Sequence, residues 1–107
     1  MNIKHWIRNK YQKLTRGYSD DELWNLDATF VDWILPRLKA FKEHNIAYPI
    51  DLSSKEKWDE ELDTMIKAFE YYKIDPFDVD KKERKKQDKI INKGFQLFGK
   101  RIHNLWW

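Results

Sequence analysis

Ser19 and Glu22 stand three residues apart, directly before a run in which Leu23, Leu26, Phe30, Trp33, Ile34, Leu38 and Phe41 recur at helical spacing. That arrangement constrains the fold more than any other stretch of the chain. The serine hydroxyl suits the amide of Glu22, and the glutamate suits the amide of Ser19, a capping box. Gly17 gives the backbone freedom needed just before such a cap. Asp20, Asp21 and Glu22 place negative charge where the helix dipole is positive. The spacing predicts a long helix from Ser19 to about Lys42. Pro36 lies inside it and removes one backbone bond to Asp32, so a kink is expected near Asp32–Leu35. Asp27 falls beside the apolar stripe, which predicts partial burial against Arg16, Arg37 or an indole.

Two further stripes accompany the first. Trp58, Leu62, Met65, Ile66, Phe69 and Tyr72 form one, preceded by Ser53 and Glu56 in capping-box positions. It ends before Ile74-Asp75-Pro76. Ile91, Phe95, Phe98, Ile102 and Leu105 form another, behind a charged start at Lys81–Lys89 that Asp78 or Asp80 is placed to cap. Gly94 and Gly99 inside it each cost about 1 kcal/mol against Ala, which suggests close helix approach or distortion. Upstream, Ile3, Trp6, Ile7, Tyr11 and Leu14 mark a short basic helix, with Lys4, Arg8, Lys10 and Lys13 mostly on its other side. Its Trp face is expected to pack inward. A membrane surface or nucleic-acid phosphate is the other use of such a helix. No strand pattern or internal repeat appears. The reading is all-α, a small bundle of three main helices plus a short N-terminal basic helix, forming one domain over residues 1–107.

Composition bounds the function. With 36% charged residues the core must be thin. Six Trp, five Tyr and six Phe compensate by supplying a large apolar area per residue. There is no cysteine, hence no disulfide framework or thiolate chemistry, which fits a cytoplasmic protein. No run approaches the roughly 20 apolar residues of a membrane span, and the N-terminus lacks the apolar core of a secretory signal. Charge is segregated. Residues 1–18 carry five bases and no acid, and residues 81–107 nine bases and two acids, while the middle is acidic. Either the ends lie beside the acidic helices, or they form one anion-binding face.

Catalytic chemistry has little to stand on. His5, His44 and His103 show no ligand spacing, so no metal and no cofactor is expected. Ser19, Ser53 and Ser54 are explained by capping. Glu56/Asp59 and Glu60/Asp63 share a helix face, as in all-α Mg²⁺-dependent nucleotide hydrolases, but no matching Glu-x-x-Glu pair stands on the preceding helix. A Mg²⁺-dependent nucleotide hydrolase is the alternative, with no catalytic residue assigned. The binding constellation is Arg16, Tyr18, Trp24, Asp27, Trp33 and Arg37, gathered at the start and the proline of helix two. Arginines beside aromatic rings suit a nucleotide-like anion, through stacking and phosphate contacts.

Arg16-Gly17-Tyr18-Ser19-Asp20-Asp21-Glu22-Leu23-Trp24-Asn25-Leu26-Asp27, then Trp33-Ile34-Leu35-Pro36-Arg37-Leu38, Trp58-Asp59-Glu60-Glu61-Leu62 and the closing Leu97-Phe98-Gly99-Lys100 with Leu105-Trp106, together resemble a family of small phage-encoded proteins. The resemblance spans most of residues 15–107. It implies a virus acting inside bacteria and carries over no catalytic residue. The expectation is a non-enzymatic binding protein in the cytoplasm of a bacterial host. Its target would be a host protein, as in counter-defence, or a nucleotide-like anion. A nucleic-acid module using the basic ends is the second choice, and self-association through Trp106 and Trp107 is a further expectation.

Overall fold

A computed structural model of the chain describes residues 3–106. These form five α-helices and no strand: α1 (Ile3–Arg16), α2 (Asp20–Trp24), α3 (Leu26–His44), α4 (Lys55–Tyr72) and α5 (Lys81–Arg101), with 3₁₀ turns at Pro76–Asp78 and Ile102–Asn104. The all-α expectation holds. The chain divides into two compact units, Met1–Phe30 and Val31–Trp107.

Helix two is not continuous from its Ser19 cap. Asn25 leaves the helical range at φ −126°, ψ 55° and separates α2 from α3. Its carbonyl accepts the Thr29 amide at 2.8 Å, so the same residue closes α2 and opens α3. Asn suits a helix start better than a helix interior, because its side chain competes with the backbone for hydrogen bonds. α3 then runs through Pro36 and stays helical on both sides of it.

The second unit is built on α3, α4 and α5. Val31, Leu35 and Leu38 from α3 meet Trp58, Leu62, Met65, Ile66 and Phe69 from α4 in one buried cluster. The α4 stripe is the core, as its spacing predicts. Two ion pairs tie α3 to α4, Lys39 with Glu70 at 3.6 Å and Lys42 with Asp63 at 2.6 Å, and a third joins Asp32 to Lys73, the residue capping the end of α4, at 3.0 Å. Partner numbers fall along α4 as they rise along α3, which is antiparallel register. α4 opens on Ser54 rather than Ser53; the Ser54 hydroxyl accepts the Lys57 amide at 3.2 Å. Asp80 caps α5 by accepting the Glu83 amide at 2.7 Å.

α5 lies against α4 so closely that a Cβ on Gly94 would sit 2.2 Å from the Ala68 Cβ and 2.8 Å from the Thr64 carbonyl oxygen. Glycine is required there by space, whereas Gly99 faces open room. The α5 seam differs from the sequence reading. It adds Gln87, Gly94 and Arg101, all buried, to the expected Ile91. Phe98 and Leu105 pack against the core as expected. Phe95 is partly exposed but packs on Phe69 and Tyr72, and Ile102 is exposed. Arg101 reaches between two acids, donating to Glu61 at 2.8 Å and to Asp51 at 2.8 Å. Those carboxylates hold its guanidinium even more firmly protonated than usual. Trp106 is 73% exposed, and its carbonyl accepts from Asn45 Nδ2 at 3.5 Å. Trp107, the other half of the expected pair, lies outside the described residues.

The first unit reverses the expected polarity of α1. None of its residues is buried, and Ile3, Trp6, Ile7, Tyr11 and Leu14 are all exposed. The cause is the set of partners available across the Gly17 turn, taken up next.

Candidate binding surface

Gly17 adopts φ +86°, the left-handed region that a side chain disfavours, and this turns the chain from α1 into α2. Ser19 follows and is buried. Its amide donates to the Glu22 carboxylate at 2.8 Å, which sets the first turn of α2. Asp20 and Asp21 then project back toward α1.

They meet a row of polar side chains. His5 Nε2 lies 2.5 Å from Asp21 Oδ2, and Asn9 Nδ2 donates to the same oxygen at 2.7 Å. Arg8 Nη2 is 3.1 Å from His5 Nδ1. An arginine donates only, so a neutral His5 ring carries its proton on Nε2, facing Asp21. Gln12 makes two bonds to Asp20: its Nε2 donates to the carboxylate at 3.0 Å, and its Oε1 accepts the Asp20 amide at 2.9 Å. Arg16 Nη2 completes the set on Asp20 Oδ1. Lys13 approaches Glu22 at 3.6 Å. The bond from Arg16, then that from Gln12, holds the Asp20 carboxyl below the usual range. The bond from Asn9, then that from His5, does the same for Asp21.

His5, Asn9, Gln12 and Arg16 recur at four- and three-residue steps and so occupy one side of α1. That side is tied to α2. The apolar side therefore faces away, with Leu14 at 85% exposed. Leu23, Trp24 and Leu26 are exposed around the α2–α3 break, Trp24 at 86%. Singly exposed apolar residues are ordinary, but five on one outward helix face, interrupted only by Lys10, are not.

Of the six sequence-derived residues, four fall in the first unit and two in the second. Arg16 and Tyr18 are together: the guanidinium sits 4.5 Å from the ring centroid and Nε donates to the Tyr18 carbonyl at 3.1 Å. Trp33 and Arg37 are together likewise, at 4.3 Å, and Arg37 Nη1 donates to the Trp33 carbonyl at 2.8 Å. The Trp33 carbonyl follows that of Asp32, the one from which Pro36 removes the backbone donor, and it takes the arginine as a side-chain donor. Asp27 is exposed rather than partly buried, because the Leu23 and Leu26 side of the helix is outward. None of the six lines the hollow of about 460 Å³ bordered by His44, Tyr48, Pro49, Trp58, Asn104 and Trp106.

The acids of α4 are dispersed among bases. Asp59 pairs with Lys55, Asp63 with Lys42, and Glu61 with Arg101. Among the described residues no three His, Asp or Glu side chains converge on a point where a metal ion would sit. Nor is any helix among them long and apolar enough to cross a membrane. Comparison with protein-family models, with curated proteins and with solved structures finds no match.

Proposed function

We propose that this chain is a non-enzymatic binding protein that docks a cellular partner through the outward apolar face of residues 3–30. The observation that carries the reading is the inverted polarity of α1: its polar side is bound to α2, and its apolar side is presented. A phage protein acting in the bacterial cytoplasm is the setting we propose, on the likeness of the Arg16–Asp27 segment to small phage-encoded proteins. A nucleotide-like ligand has less support. The Arg16 guanidinium is engaged by Asp20 and by the carbonyl and ring of Tyr18, which leaves little of it for a phosphate. The Mg²⁺-dependent hydrolase reading gains no supporting observation: of its four acids Asp59 and Asp63 pair with lysines, and no metal-sized cluster forms among the described residues.

The test is photo-crosslinking in producing bacteria, with a benzophenone side chain at Tyr11 or Leu14 and a control at Phe77. A discrete adduct from the α1 positions, absent from the control and lost on Ile7→Asp, is expected. Adducts indifferent to Ile7→Asp, or none from α1, would remove the reading. A nucleic-acid role is favoured by one observation: Lys81, Lys82, Lys85, Lys86 and Lys89 are all exposed on the first half of α5. It calls for affinity that falls steeply with salt and is lost on reversing those charges.

A further inference from the structure

The partner of the α1 face can be narrowed by what surrounds it. The inference rests on the docking reading above and names the chemistry of the partner. Ile3, Trp6, Ile7, Tyr11 and Leu14 cover a continuous arc at 3.6 residues per turn. Lys4 and Arg8 flank one margin of that arc and Lys13 the other. Lys10 falls inside it, with its ammonium 5.3 Å from the Trp6 ring centroid. A lysine within an apolar stripe lays its methylenes along the surface and lifts its charge to the edge. α1 contains no acid. Asp20, Asp21 and Glu22 lie on the polar side and are taken by His5, Asn9, Gln12, Lys13 and Arg16. The outward side of α1 thus combines apolar bulk with charge of one sign.

Few partners match both properties. A second copy of the same face would set bases against bases. A nucleic-acid backbone would meet Lys4, Arg8 and Lys10 but leave Ile3, Ile7 and Leu14 against phosphate. An anionic bilayer surface has negative headgroups directly above hydrocarbon. A helix lying in that interface buries its apolar arc while its margins meet the headgroups. Trp6 and Tyr11 are residues of the type enriched at that depth.

We propose that α1 is an in-plane anchor that holds the protein on an anionic lipid surface. The bond set to α2 orients it, turning the polar side away from the lipid without burying any apolar residue.

The test uses the full chain with vesicles of equimolar phosphatidylcholine and phosphatidylglycerol, and with pure phosphatidylcholine. Co-sedimentation and tryptophan emission are read together. The expected result is partition onto the anionic vesicles with a blue shift, weaker on the neutral ones and weakened by salt. Ile7→Asp should lower partition about tenfold or more while leaving the helical circular dichroism in place, since α1 contributes no buried residue. Lys4→Glu should lower it about fivefold or more, and less at high salt. Lys86→Glu on α5 should have no comparable effect. Absence of partition, or partition lost on Lys86→Glu but indifferent to Ile7→Asp, overturns the proposal. So does duplex DNA displacing the protein from vesicles, or a dimer abolished by Ile7→Asp in place of vesicle binding. Vesicle failure beside a specific α1 protein crosslink in cells overturns the lipid partner alone and leaves the docking face standing. Failure of both removes the two together.

Discussion

Substituting Gly94 by alanine should destabilise the protein, although alanine is the better helix former by about 1 kcal/mol. The added methyl would lie 2.2 Å from the Ala68 Cβ and 2.8 Å from the Thr64 carbonyl oxygen, both inside 3.0 Å, where something must shift. The second atom is backbone, so no rotamer change relieves it. Relief requires moving α5 off α4. That loosens the contacts of Phe69 with Phe95 and Phe98, whose ring centroids are 5.2 and 5.4 Å from it. Overpacking of this kind costs about 1–3 kcal/mol, and backbone involvement places Gly94→Ala at the upper end. After the propensity gain the net loss is about 2 kcal/mol, a fall in Tm of roughly 10 °C for a unit of this size. Ala68→Gly alone should also cost about 2 kcal/mol, through helix propensity and a lost buried methyl. The double variant should be more stable than the two losses added together, by about 1 kcal/mol or more, because it removes the shorter clash. Rescue should be incomplete, since the Thr64 oxygen remains. Urea melts of the four proteins give the cycle. A neutral or stabilising Gly94→Ala, or a cycle without coupling, would refute the close helix approach.

Three further outcomes follow from the same geometry. Arg101→Met should cost roughly 2–3 kcal/mol in a urea melt, because Glu61 loses its two guanidinium bonds while remaining largely covered; a loss under about 0.5 kcal/mol would mean that water replaces the arginine freely. Asp20 and Asp21 have carboxyls held below the ordinary range in the folded form. Such groups stabilise the folded form above their unfolded value, and the contribution fades as pH falls through the folded one. The α1–α2 unit should therefore loosen in acid, and NMR titration should give Asp20 and Asp21 midpoints below the usual aspartate value; ordinary midpoints would count against the bond set. Arg37→Ala should cost about 1 kcal/mol by removing the donor at the Trp33 carbonyl and the stacked ring contact, again read from a denaturant melt.

What the sequence disclosed and what it hid have physical reasons. α4 was legible because each position of its seam, from Trp58 to Phe69, is apolar. The seam of α5 also includes Gln87, Gly94 and Arg101, which carry no apolar signal, so the reading followed its aromatic members and continued the stripe to the exposed Ile102. A charged residue on a core arc was the available clue, and Glu61 on the preceding helix was its partner. The six residues read as one constellation fall four in one unit and two in the other, with Arg16 beside Tyr18 and Trp33 beside Arg37. The orientation of α1 did not follow from spacing. Periodicity gives the axis of an amphipathic helix but not which side meets water, and the default puts the apolar side in. The deciding signal was the polar row His5, Asn9, Gln12 and Arg16, opposite Asp20 and Asp21 across a glycine turn. The break at Asn25 had no proline or glycine to announce it.

Presentation of the apolar side of α1 can be measured directly, because the chain contains no cysteine. Single cysteines at Ile7 and at Gln12, on opposite sides of α1, would be labelled with a maleimide in the free, folded protein. The account requires Ile7→Cys to react at nearly the rate of an unstructured peptide, and Gln12→Cys, facing α2, to react several-fold more slowly. Slow labelling at Ile7→Cys with fast labelling at Gln12→Cys would mean that the apolar side is covered and the polar side free, and the account would be wrong at its base.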